Sequence, residues 1–240
     1  MIKLRNILSE GRWDSYVRKL SMPIINAFKR GDEYNETFTI ERKNKENRKN
    51  KEKLTAELIV ELEVDNKLKF PFDINASFGP EDDDPDWQTL ELNITYNPSF
   101  FPMAMNDFVA DVKSTLRHEL EHAGQDNFKG KKITYRQYDP KKNFTKYVLQ
   151  ANEVPAYVHG FYTKAKTKKI SVQQVMDEWF KQMGHNFQKK SDWPLVRKTW
   201  INWGVKQGLV DEGTILNNPS ATYSRKAKKE KFNIKKLGIK

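Results

Sequence analysis

The sequence predicts a fold of the α+β class, with a small sheet first and helices after it. Three observations lead there. Between Glu57 and Tyr96, apolar and polar residues alternate in three successive runs, the period of strands that bury one face. From Asn106 onward the apolar residues recur at intervals of three and four, the period of amphipathic helices. The chain has 240 residues, 37% of them hydrophobic and 12% aromatic, enough core formers for one main domain with small accessory parts.

Taken in order, residues 1–40 read as a helical entry segment. Ile2, Leu4, Ile7, Leu8, Tyr16, Val17 and Leu20 recur at helical spacing, and Gly11, Pro23 and Gly31 punctuate them. The run from Glu41 to Lys53, ERKNKENRKNKEK, mixes charges without an apolar period and reads as a solvated loop. Three strands are expected next. Leu58, Val60, Leu62 and Val64 share one face of the first; Phe70, Phe72, Ile74, Ala76 and Phe78 share one face of the second; Leu90, Leu92, Ile94 and Tyr96 share one face of the third. They imply a small, mostly antiparallel sheet with one wet face. The acidic run EDDDPD, Glu81 to Asp86, is a loop that lacks the spacing and glycine of a calcium motif.

Asn106 is the expected N-cap of a helix whose stripe is Phe108, Val109, Val112, Leu116, Leu120 and Ala123, running to about Gln125. Thr134 to Tyr147 carries no clear period. A second helix is expected from Asn152 to about Lys166. Ser171 and Gln174 make a capping box ahead of Val172, Val175, Met176, Trp179 and Phe180. Ser191 or Asp192 caps a last helix, with Pro194 in its first turn and Gly208 beyond its end. Trp179, Trp193, Trp200 and Trp203 are expected in the core of these helices. Three parts result: the entry segment and charged loop over 1–55, the main domain over 56–215, and a basic tail over 216–240.

Composition excludes several kinds of chemistry. Cysteine is absent, so disulfides, thiolate metal sites and cysteine nucleophiles are ruled out, and a metal must be held by His, Asp or Glu. No run approaches the roughly 18 apolar residues of a membrane span, and the opening MIKLRNILSEGRW lacks the apolar core of a secretory signal. A cytoplasmic protein without a membrane partner is expected. The formal net charge is +11, and residues 221–240 hold eight Lys or Arg against one acid, so 8 − 1 = +7 of it lies in the tail. Such a tail serves solubility or binds a polyanion such as nucleic acid.

The strongest signal is Arg117-His118-Glu119-Leu120-Glu121-His122-Ala123, an H-E-x-x-H on a predicted helix. Four residues advance a helix by about 400°, so His118 and His122 share a face one turn apart and can grip one ion. Glu119 lies about 100° round from His118. There its carboxylate reaches a water activated by the ion and accepts its proton as general base, while the ion polarises a scissile carbonyl. Zn2+ suits two His and a carboxylate, and other divalent ions also fit that set. Glu121, about 200° round from Glu119, is directed towards solvent.

A third protein ligand leaves one position open for water. Glu153, which begins the helix 31 residues past His122, is the best candidate. Asp126 would serve only if the first helix ended early, and His159, His185 or another acid are the other choices. Two groups are candidate donors to a developing oxyanion. Tyr157 is on the same face as Glu153, and its bland alternative is a core tyrosine; His185, in Met183-Gly184-His185-Asn186, sits at a helix end.

On these residues the chain resembles the zincin metallopeptidases, and within them the thermolysin-like gluzincin group, whose pattern is H-E-x-x-H followed by a glutamate on a downstream helix. The resemblance covers roughly residues 89 to 160. It implies a zincin-like fold and a zinc endopeptidase acting on protein or peptide. It makes His118, His122 and Glu153 the ligands and Glu119 the base. It also makes Thr89 to Tyr96 the edge strand that pairs with an extended substrate. Asn152-Glu153 is similar to the Asn-Glu of the thermolysin pattern, whereas Tyr157 stands where that pattern has a second acid. The longer metzincin pattern is not met, since Gln125 and Phe128 occupy its glycine and third histidine positions. Two alternatives use the same residues. One resembles the SprT-like proteases, with the basic tail recruiting the enzyme to DNA; the other is an inactive zincin scaffold serving as a structural or binding protein. The opening segment, the Lys and Asn content and the lack of cysteine also resemble proteins of large tailed bacteriophages, which would place the chain in a host cytoplasm or a virion.

Overall fold

The alternating runs fold into a sheet that turns its apolar side chains to one face, except that Phe70 lies ahead of the second strand and is exposed. The computed structural model of the chain describes residues 4–43, 53–80, 88–127 and 139–210. The chain divides after Lys132 into two compact units, with Met1–Asn6 counted with the second. The basic tail, the acidic run at 81–86 and most of the charged loop lie outside the described residues.

In the first unit, helix α1 (Leu4–Arg30) precedes strands β1 (Tyr34–Lys43), β2 (Lys53–Val64), β3 (Phe72–Pro80) and β4 (Gln88–Tyr96), and helix α2 (Met105–Asn127) follows them. The sheet order is β1-β2-β4-β3. The chain passes from β2 to the far edge as β3 and returns between them as β4. The β1–β2 and β3–β4 pairs are therefore antiparallel and the β2–β4 pair is parallel. Leu58, Val60, Leu62, Leu90, Leu92, Ile94 and Tyr96 are buried. They meet Leu20, Ile24 and Phe28 of α1 and Phe108, Val112, Leu116 and Leu120 of α2 in one core. Phe28 is its hub, stacked on Phe108 with ring centroids 3.7 Å apart and tilted against Tyr96 at 4.9 Å. Each such side chain taken out of water contributes roughly 1.5–3 kcal/mol.

Several expectations are corrected here. Residues 1–40 are not one punctuated helical segment: α1 runs unbroken through Gly11 and Pro23, and the chain turns at Gly31, whose φ is +74°. Buried Val17 and Leu20 before Pro23, and Ile24, Ala27 and Phe28 after it, hold the helix on the core and offset the proline's cost. The fourth strand, β1, was not anticipated. Tyr34 and Phe38 pack on the core from it, and it continues into the charged stretch, where Lys43 pairs with Lys53 across the hairpin. Backbone pairing there needs no apolar side chains. Nor is β4 an edge: both its ladders are taken, by β2 and β3, so it has no free backbone groups for an extended substrate. Among the described residues the edges are β1 and β3. Asn106 lies inside α2 instead of capping it.

The turn from β4 into α2 is fixed by buried Asn97. Its Nδ2 donates to the Asn66 and Leu68 carbonyls at 3.3 and 2.8 Å, and its Oδ1 accepts from Ser99 N at 2.9 Å. Buried amides satisfied on both sides hold a turn rigidly, which here sets where α2 begins.

The second unit is helical among its described residues: α3 (Phe144–Val148), α4 (Glu153–Lys168), α5 (Val172–Met183) and α6 (Trp193–Gln207). The capping box of Ser171 and Gln174 is formed as expected. Pro194 stands in the first turn of α6, and Gly208 ends it at φ +74°. Asp192 occupies the N-cap but bonds no α6 backbone amide; its carboxylate accepts from Thr145 Oγ1 at 2.7 Å, which ties α6 to α3. The tryptophans lie in or against the apolar core, with Trp200 fully buried. The Trp193 ring lies over Gly184, where a Cβ would come within 2.2 Å of Cζ2. Gly184→Ala is therefore expected to cost about 1–3 kcal/mol by overpacking, read as a lower urea midpoint at unchanged slope. No described helix is long and apolar enough to cross a membrane.

Candidate metal centre

Helix α2 is continuous from Met105 to Asn127, so the spacing of His118 and His122 becomes real geometry. Leu116 and Leu120 anchor its apolar face in the core, which turns the histidines the other way. The two rings stand edge to face with centroids 4.8 Å apart, and their Nε2 atoms are 3.1 Å apart. Two nitrogens bound at about 2.0–2.1 Å to one tetrahedral zinc sit roughly 3.3 Å apart, so the pair is close to that arrangement. Glu119 Oε1 lies 4.0 Å from His118 Nε2, near the pair without joining it.

Glu153 is the first residue of α4 and is 5% exposed. Asn152 Nδ2 donates to its Oε1 at 3.2 Å, which holds that oxygen in place. His118, His122 and Glu153 form a group that could hold a metal ion: each offers one ligand atom, and these atoms lie within 4.8 Å of one another. The donor set of two imidazoles and one carboxylate fits zinc and its neighbouring divalent ions. Burial adds to the fit. Among the described residues the buried charged side chains are Arg117, Glu119 and Glu153, at 3%, 7% and 5% exposure. Glu153 belongs to the group, Glu119 stands beside it, and Arg117 immediately precedes His118. Carboxylates are costly to bury unless positive charge compensates them, and a divalent cation held by this group would do so.

The other residues singled out by sequence are placed as follows. The half-buried Tyr157 ring stacks on Trp200 at 5.0 Å and meets Trp179 edge-on at 5.4 Å, within the aromatic cluster of the second unit. His185 is exposed just past α5, its Nδ1 2.9 Å from the Gln182 carbonyl. The ring of His159 packs edge-on against Trp203 at 5.4 Å. Neither His159 nor His185 joins a metal-ligating group among the described residues. Helix α2 does not end early at Asp126, the condition that residue needed to serve as a ligand.

One pair was misjudged from sequence. Glu121 is only partly in solvent: its Oε2 accepts from Nη1 of buried Arg117 at 2.7 Å, and its side chain is 20% exposed. The i,i+4 spacing of opposite charges was visible in the sequence, but the burial was not. No protein-family model, curated protein or solved structure matches the chain.

Proposed function

We propose that the protein is a zinc-dependent metallopeptidase, with His118, His122 and Glu153 as ligands and Glu119 as general base. The observation that carries this reading is the histidine pair on an unbroken helix, Nε2 to Nε2 at 3.1 Å, grouped with buried Glu153 while Glu119 stands just outside the group. A zinc ion held by His118, His122 and Glu153 would supply a Lewis acid for a carbonyl and would lower the pKa of water towards about 7. Glu119 then takes the proton of the attacking water and delivers it to the departing amine nitrogen. Tyr157 and His185 are the candidate donors to the developing oxyanion.

The substrate is an extended peptide. With β4 enclosed, strand addition falls to β3, the edge strand against which α2 packs. The test is metal content by mass spectrometry on the purified protein beside Glu153→Gln and Glu119→Gln. About one zinc per chain is expected in the parent and in Glu119→Gln, with a sharp loss in Glu153→Gln. No stoichiometric metal in the parent, even after reconstitution with zinc, would overturn the reading.

A further inference from the structure

We infer that Arg117 and Glu121 are positioning residues, a half-buried charge clip that holds the two histidine-bearing turns of α2 at the spacing one ion requires. The inference rests on the metal site proposed above and goes beyond its ligands and base.

Arg117 immediately precedes His118, and Glu121 immediately precedes His122. Each half of the clip is therefore the chain neighbour of one histidine. On a helix Glu119 lies about 100° to one side of His118 and Arg117 about 100° to the other, so base and clip flank the histidine pair on opposite sides. The bond between Arg117 Nη1 and Glu121 Oε2 is 2.7 Å, the length of a charge-assisted hydrogen bond, and Arg117 is 3% exposed.

Helix stability alone does not account for the pair. An exposed i,i+4 pair contributes little because water competes and salt screens, and the order cation before acid is the weaker of the two. Burial of the guanidinium also carries a desolvation cost. Meanwhile Leu116 and Leu120 already fasten α2 to the core. What the clip adds is a rigid link between the turn of His118 and the turn of His122, which lies five residues before the helix ends at Asn127. Terminal turns fray, and fraying here would part the two Nε2 atoms. The clip also neutralises Glu121, leaving Glu119 and Glu153 as the buried carboxylates whose charge a divalent ion balances.

Glu121→Ala strands a buried guanidinium and is liable to unfold the unit, so the decisive variant is the double substitution Arg117→Met with Glu121→Leu. It removes both charges at similar volume, an exchange that folds are known to accept. Two readouts separate positioning from stability. One is zinc affinity by competition with a chromogenic chelator, on protein shown folded by circular dichroism. The other is the d–d absorption of the Co2+-loaded protein, which reports ligand geometry. A 10- to 100-fold loss of zinc affinity, roughly what removal of a group supporting a ligand brings, with a shifted or weakened Co2+ band, is expected in the folded double variant. Zinc affinity within about twofold of the parent and an unchanged Co2+ spectrum would overturn the clip while leaving the metal site standing. A parent that binds no zinc would overturn the metal site itself, and the clip with it.

Discussion

Glu119→Gln is expected to keep its metal and lose peptide hydrolysis, with kcat falling about 10²–10⁴-fold, the usual contribution of a positioned general base. The amide keeps the shape and the hydrogen-bonding oxygen of the carboxylate but takes up no proton. Glu119 is 7% exposed, with Oε1 4.0 Å from His118 Nε2, so bulk water is poorly placed to substitute for it. The variant should bind a peptide substrate with little change in KM, since the lost interaction acts on the reacting water and not on substrate binding. Zinc content, kcat and KM measured together check this. Full activity with full metal would remove Glu119 from the reaction, and loss of metal as well would make it a ligand.

That experiment leans on a motif legible in one short stretch, His118 to His122, because a helix brings i and i+4 together whatever the rest of the chain does. Glu153 was legible only as the best of several acids and histidines. It is separated from His122 by 31 residues, and local spacing says nothing about where a chain returns. The same limit applies to the sheet. Alternation told which side of Leu58–Val64 and Leu90–Tyr96 is buried, since a side-chain period of two assigns faces directly. It could not tell which strand lies beside which, and the edge position that the zincin resemblance implies for β4 does not hold, since β3 and β2 enclose it. Strand β1 escaped because its apolar residues, Tyr34, Phe38 and Ile40, are thinned by Glu36 and run straight into the charged stretch. Thr37 and Thr39 were the β-forming residues that could have marked it. Arg117 and Glu121 teach the complementary lesson. Their pairing is written in the sequence, whereas the burial that makes it consequential belongs to the tertiary structure alone.

Burial is also the basis of the largest expected effect on stability. Trp200→Ala should cost about 3–5 kcal/mol, a large part of the roughly 5–15 kcal/mol that holds a domain together. Trp200 is wholly inaccessible to solvent, and four rings close on it: Tyr157 and Phe180 stacked at 5.0 and 5.6 Å, Trp179 and Phe161 inclined at 5.1 and 5.2 Å. Its Nε1 donates to the Val148 carbonyl at 3.2 Å, joining α6 to the last residue of α3. Alanine removes the packing and leaves that carbonyl to find another donor, two losses that add. Trp200→Phe keeps a ring but not the donor and should cost less. Urea unfolding followed by circular dichroism orders the three proteins, and a loss under about 1 kcal/mol for alanine would mean that the cluster can collapse around the gap. The effect should reach the metal group through one helix. Glu153 opens α4, and Tyr157, one turn on, rests its ring on Trp200. If that stack holds the first turn of α4 in place, zinc affinity will fall in Trp200→Ala under conditions where the protein is still folded, and it will fall less in Trp200→Phe.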